Sequence, residues 1–247
     1  MLKWSAAAAA ALCIGLGTGP ARAQEEIEMI FAIPAQTLTF SAHFVAHDGG
    51  FFKKEGLKVT DRNLVGVASP NAVLAGSADL TVGTGPVFLR AASKGQKFKA
   101  IDGYTTSMPF TGISVMKGNA IMVASSTFDA PELVPFAYAM VYGMPDFCTR
   151  KREVCERVAR AYQGAAKMIQ EKPDEVFEKI LKPRFAKQDP ELLRASWKIA
   201  QQAHAKDVRV SVAMLENSQK VSLVGKLLDP KDALTSFDDL FTDEFVK

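Results

Sequence analysis

His43 and His47 stand four residues apart, a spacing that sets two imidazoles on one helix face where a metal ion could bridge them. Phe44, Val45 and Ala46 fill the positions between, so the H-E-x-x-H pattern of metal hydrolases is missing and no metal is expected. His43 is assigned to a pocket wall and His47 to the surface. A G-x-S-x-G elbow, a phosphate-binding glycine loop and a complete dinucleotide fingerprint are also missing, so neither a catalytic residue nor a cofactor is expected. What the chain does offer is a set of uncharged hydrogen-bonding groups, Gln36, Thr37, Ser69, Thr84 and Tyr104, with Phe40 as an apolar wall and Gly85 at a helix start. That is the chemistry of a binding pocket. Ser69 and Thr84 serve equally well as helix caps, and Asp79 reads as the residue that tightens the Ser77-Ala78-Asp79 turn.

The elements that position these residues follow from hydrophobic runs and breakers. Strands are expected at Glu28–Ile33, Lys58–Leu64, Leu80–Val82 and Phe98–Asp102. Helices between them start at Ser41 as N-cap and end at Gly49-Gly50, start at Ser69-Pro70 and stop at Gly76, and start at Gly83-Thr84-Gly85-Pro86 and run to about Ser93. Alternation of strand and helix implies a mainly parallel sheet with crossover helices. Three loops, Pro34–Ser41, Val65–Pro70 and Gly83–Pro86, then fall at one sheet edge, where helix N-termini present unpaired N–H groups suited to a small anion. Phe40 and Tyr104 would equally suit an aromatic or heterocyclic solute. Further on, Gly112–Met116, Ile121–Ala124 and Phe136–Tyr142 read as strands with short joins. The rest is helical: Val154, Val158, Ala161, Tyr162, Ala165 and Ile169 form a core-facing stripe, Pro173 and Asp189-Pro190 start further helices, and a last one covers Ser211–Leu228. Thr149–Lys187 holds 11 basic and 6 acidic residues, interleaved as on solvated helix faces.

The first 23 residues read as an export signal: Lys3, an apolar block from Ser5 to Leu16, then Ala21-Arg22-Ala23 with cleavage after Ala23. Removing them takes 247 residues to 224 and a net charge of +3 to +1, which excludes electrostatic capture of nucleic acid as a default role. Cys13 leaves with the signal, and Cys148 and Cys155 are expected to form one disulfide in an oxidising compartment.

Three stretches carry a resemblance to a known family. They are Ala46-His47-Asp48-Gly49-Gly50-Phe51-Phe52-Lys53-Lys54-Glu55-Gly56-Leu57-Lys58-Val59, Ala72-Val73-Leu74-Ala75-Gly76-Ser77-Ala78-Asp79-Leu80, and Ala91-Ala92-Ser93-Lys94-Gly95-Gln96. In this order they resemble the periplasmic substrate-binding proteins of ABC transporters for nitrate, sulfonates, taurine and pyrimidine precursors. The resemblance implies a periplasmic receptor that captures a small organic anion or heterocycle and delivers it to a membrane permease and ATPase. It also implies a type II periplasmic-binding-protein lobe, with the strand-end loops lining the cleft.

The chain departs from that pattern in length. Family members clamp the ligand between two α/β lobes, yet only Lys117, Gly118, Asn119 and Ala120 separate Met116 from Ile121. The expected organisation is a signal peptide at 1–23, a first α/β lobe at 24–116, shortened crossover strands at 117–145 and C-terminal helices packed on the first lobe at 146–247. Most of the second lobe is expected to be missing, with the seam near Gly118-Asn119. Lost cover over Phe40 and Tyr104 would weaken binding and favour self-association. Two alternatives stand beside this reading: a sensor or interaction module built on one lobe, and an enzyme akin to the pyrimidine-precursor synthases of this fold. The latter would need a cysteine-rich motif that two cysteines seven positions apart do not supply.

Overall fold

Alternate residues of the first strand face opposite ways, and both faces are apolar. In β1 (Ile27–Ile33), Met29, Phe31 and Ile33 enter one buried cluster while Ala32 enters another. A strand buried on both sides needs helices on both sides, and the chain supplies them. The computed structural model describes residues 26–107, 111–112, 124–125 and 131–246; the signal segment and the Gly118-Asn119 seam lie outside the described residues.

After β1 come α1 (Ser41–Asp48), α2 (Phe51–Lys54), β2 (Leu57–Asn63), α3 (Ala68–Leu74), β3 (Leu80–Gly83), α4 (Gly85–Ser93) and β4 (Lys99–Thr105). Two short strands, β5 (Thr111–Gly112) and β6 (Ala124–Ser125), pair antiparallel with Thr111 opposite Ser125. Then follow β7 (Ala139–Gly143), α5 (Pro145–Arg150) and the 20-residue α6 (Arg152–Glu171). Next come α7 (Pro173–Val176), a π-helical turn at Phe177–Leu181, α8 (Lys182–Arg184), α9 (Pro190–Ala200) and α10 (Val212–Val224).

The main sheet runs β2-β1-β3-β7-β4. β1 pairs parallel with β2 and β3, and β7 is antiparallel to both β3 and β4. Four strands therefore share one direction, as a mainly parallel sheet requires. β4 does not lie next to β3: β7 returns from 34 residues further along and separates them. The insertion is favourable because β7 is buried throughout, with Ala139 and Val141 in one cluster and Met140 and Tyr142 in the other. The outer edge of β4 is covered by a bridge from Ala100 to Phe241 and another from Thr105 to His204.

Two helix starts differ from expectation. Ser41 is the first residue of α1, not its cap, and Phe40 takes the N-cap position after a 3₁₀ turn at Leu38–Phe40. Ser69 lies inside α3, which Val67 caps. Both hydroxyls are fully buried and serve tertiary contacts instead. Ser41 Oγ donates to the Leu38 carbonyl at 2.7 Å and lies 2.7 Å from His204 Nε2; Ser69 Oγ lies 2.8 Å from Thr81 Oγ1, which donates to the Ala32 carbonyl. The caps at Asp189 and Ser211 are as expected, accepting from the N–H groups of Leu192 and Met214.

The stripe on α6 packs against α1, α2 and β4, so the C-terminal helices sit directly on the sheet. Cys148 on α5 and Cys155 on α6 form the disulfide. Among the described residues no helix is long and apolar enough to cross a membrane.

Candidate functional site

The chain bends at Pro34 just after β1, and β3 ends at Gly83, so it turns away from the sheet after each. That divergence opens a cleft of about 370 Å³ at their carboxyl edge. Its walls come from the three loops singled out above: Pro34 and Ala35 with Phe40, Gly66 and Val67 with Pro70, and Val82 to Thr84 with Val87. The floor includes Tyr142, delivered by the inserted strand β7.

The cleft is apolar, and the reason lies in where the backbone donors go. Gly85 N–H at the start of α4 is spent on the Ala137 carbonyl at 2.8 Å, and Pro86 has none to give. At α3, the N–H groups of Ala68 and Ser69 close turns onto Val65 and Gly66, and the third position is Pro70. The expected ring of unpaired helix N–H groups is therefore largely satisfied within the protein. The polar groups that remain on the cleft wall are the hydroxyls of Thr84 and Tyr142. Thr84 makes no capping bond with its side chain, and the Tyr142 hydroxyl lies beside Gly83 on the same wall.

Tyr142 is the residue that reading along the sequence misses. Its ring is 1% exposed and wedged edge-on against Phe88 and Phe98, at 5.1 and 5.3 Å between centroids. Burial pushes its phenol above the ordinary tyrosine value, so it stays protonated and can donate. Gly83 makes room for it: a Cβ there would lie 2.5 Å from the Tyr142 hydroxyl oxygen. A glycine at a strand end beside a Tyr-bearing strand is the signal that could have found this contact, but only with the β3–β7 pairing known.

Of the residues expected at the site, the structure brings Phe40 and Thr84 to the cleft. Gly85 adjoins it, with its N–H engaged and a Cβ there meeting the Ala137 carbonyl oxygen at 2.3 Å. The others lie elsewhere. Ser69 is in the core. Thr37 is exposed, and Gln36 is exposed with its side chain donating to Asn63 at 2.6 Å. Tyr104 is fully buried and stacks on Tyr162 at 5.2 Å. Its hydroxyl and both carboxylate oxygens of the neighbouring Asp102 have no partner among the described residues. Burial drives the Asp102 carboxyl well above the usual range, and burial followed by the Asp102 charge does the same to the Tyr104 phenol.

His43 is buried, not in a pocket wall. Its Nε2–H donates to Asp61 Oδ1 at 2.9 Å, and its Nδ1 accepts from the Tyr162 hydroxyl at 2.6 Å. His47 binds a different carboxylate, Asp48 at 2.8 Å, and this hydrogen bond is the main cause of its raised pKa. The two imidazoles thus do not converge on one ion. Among the described residues no group of three or more His, Cys, Asp or Glu is placed to hold a metal. Arg184 of α8 closes this polar region, reaching Asp48 at 2.5 Å and Asp61 at 3.5 Å with its guanidinium 3.9 Å from the Phe44 ring centre. It fastens the C-terminal helices to α1 and β2.

Residues 38–127 match the NMT1/THI5-like family. No curated protein matches the sequence. Among solved structures, a protein from Bordetella bronchiseptica RB50 superposes with a TM-score of 0.70 at 16% identity, over 88% of this chain and 95% of that one. A Candida albicans protein described as having the generic periplasmic binding protein fold gives 0.64 at 11% identity, over 91% and 98%. The alkanesulfonate-binding protein SsuA from Xanthomonas axonopodis pv. citri, bound to MOPS, gives 0.61 at 10% identity, over 89% and 100%. The chain is thus similar to the NMT1/THI5-like family across β2, α3, β3, α4 and β4, and its fold is that of the periplasmic binding proteins.

Proposed function

We propose that this protein is the exported solute-binding component of an ABC importer, and that its solute is held chiefly by apolar contact. One observation carries the reading: at the sheet edge where this fold binds ligands, the cleft is walled by Phe40, Val67, Pro70, Val82 and Val87, with Thr84 and Tyr142 as its hydroxyl groups. Such a site favours a heterocycle or another largely apolar small molecule over a bare anion such as nitrate. The similarity of fold to the alkanesulfonate-binding protein SsuA supports the transport role, and the apolar walls set the preference within it. The protein would bind its solute unchanged and pass it to a permease and ATPase in the membrane. The Cys148–Cys155 disulfide suits the periplasm, and the Ala23 cleavage site belongs to the same proposal.

The shortened second lobe is part of this reading. Only residues 113–123 separate β5 from β6, far fewer than the roughly 30 that a βαβ unit needs. The solute would therefore be covered from one side, and its affinity would be modest. A thermal-shift screen of the protein against nitrate, taurine, alkanesulfonates and nitrogen heterocycles tests the proposal. Heterocycles or long-chain sulfonates should raise the melting temperature, and Ala35→Phe, which fills the cleft, should abolish the rise. A rise with nitrate or taurine alone, indifferent to Ala35→Phe, would refute it.

A further inference from the structure

The cleft does not stop at its rim. Val67, Pro70 and Val87 also form one side of a second hollow of about 290 Å³, which continues between α3 and α4. Its other walls are polar: Asn71 on α3, Arg90, Ala91 and Lys94 on α4, and Gln96 just beyond. Val87, Arg90, Ala91 and Lys94 recur at helical spacing, so one face of α4 runs from the apolar cleft into this groove. Val67 is 65% exposed and Val87 38% exposed, an apolar ridge open to solvent between the two hollows.

The charges in the groove are unequal in what they have left to offer. Lys94 is paired with Asp232. Arg90 makes no ion pair among the described residues, and the groove walls contain no carboxylate to meet it. Asn71 and Gln96 add amide donors. At the opposite end, Tyr142 lines the cleft with its hydroxyl beside Gly83, a donor at the inner wall. A guanidinium with donors beside it is the arrangement that recognises a carboxylate or sulfonate.

We infer that the two hollows form one elongated site for an amphiphilic anion, bound with its apolar, ring-bearing end against Tyr142 and its acidic end at Arg90. This rests on the proposed solute-binding role and names the substrate class within it. The acid lies at the outer end and the apolar body is innermost, because the inner walls supply contact area and the only unpaired cation of the site stands outside them. The helix sets the length. Thr84 and Arg90 are six residues apart on α4, about 9 Å along its axis, so the ligand is a ring joined to its acid by a spacer of a few atoms. A compact anion such as taurine could not reach both ends.

Calorimetric titration with 4-phenylbutyrate and its uncharged analogue 4-phenylbutan-1-ol tests the inference. The acid should bind about fivefold more tightly than the alcohol in low salt, and the advantage should shrink in about 0.5 M salt. Arg90→Gln should bring the ratio of the two affinities close to one, and Arg90→Lys should restore part of it. Arg90 is exposed, so these variants should fold; a matching unliganded melting temperature checks this. Equal binding of acid and alcohol by the unaltered protein would overturn the inference and leave the apolar cleft standing. Binding of neither would overturn the apolar cleft itself.

Discussion

His204 joins the C-terminal helices to the sheet, and its burial makes that junction sensitive to acid. Its ring is enclosed by Ser41 at 2.7 Å, Thr105 at 3.5 Å and Trp197 with 5.9 Å between centroids. Desolvation lowers its pKa from 6.5 to about 4. Between those values the unfolded chain takes up a proton that the folded chain refuses. Stability from this group is thus complete above pH 6.5 and is lost as the pH falls towards 4. A difference of 2.5 pK units corresponds to about 3 kcal/mol. Asp102 acts in the opposite direction over part of the same range, because its raised pKa makes the folded state the better proton binder. The total curve is therefore a difference, and a variant must isolate the histidine. Urea denaturation of the protein and of His204→Gln at pH 7, 5.5 and 4 should show their stability difference shifting by about 3 kcal/mol in favour of the variant as the pH falls. With three histidines in the chain, the imidazole signals are readily assigned by NMR. A His204 resonance titrating near 6.5, or a stability difference that does not vary with pH, would refute the reasoning.

Other expectations follow from the same structure. Asp102→Asn should stabilise the protein, with a gain that grows between pH 5 and pH 8 because the loss it removes increases as pH rises; denaturant midpoints at the two values measure it. Gly83→Ala should cost about 1–3 kcal/mol and abolish the thermal-shift response, since the new Cβ would strike the Tyr142 ring. The exported protein should contain no titratable thiol before reduction, and Cys148→Ser with Cys155→Ser should lower stability by about 2 kcal/mol, the loop-closure contribution of so short a span.

Much of the framework could be read from local signals. Asp189 before Pro190 and Ser211 before the last helix are starts whose capping chemistry is complete within a few residues, and Pro86 in the first turn marks the start of α4. The stripe on α6 was equally plain because its 3.6-residue period does not depend on its partner. What stayed hidden depended on contacts across the chain. Ser41 and Ser69 look like caps until His204, 163 residues away, and Thr81 claim their hydroxyls. Helix N-termini look like anion sites until Ala137 takes the Gly85 N–H. Tyr104 and Tyr142 are both tyrosines on buried strands, and the order of β7 in the sheet decides which of them reaches the cleft. Non-local strand pairing leaves little trace in a single sequence, so the site was legible as a region and not as a list of side chains.

The most direct test is a crystal structure of the protein with whichever solute raises its melting temperature most in the screen. The account predicts the solute's apolar part between Phe40, Val87 and Tyr142, within hydrogen-bond distance of the Tyr142 hydroxyl. A solute lodged elsewhere, or an anion held by helix N–H groups with the cleft empty, would contradict it.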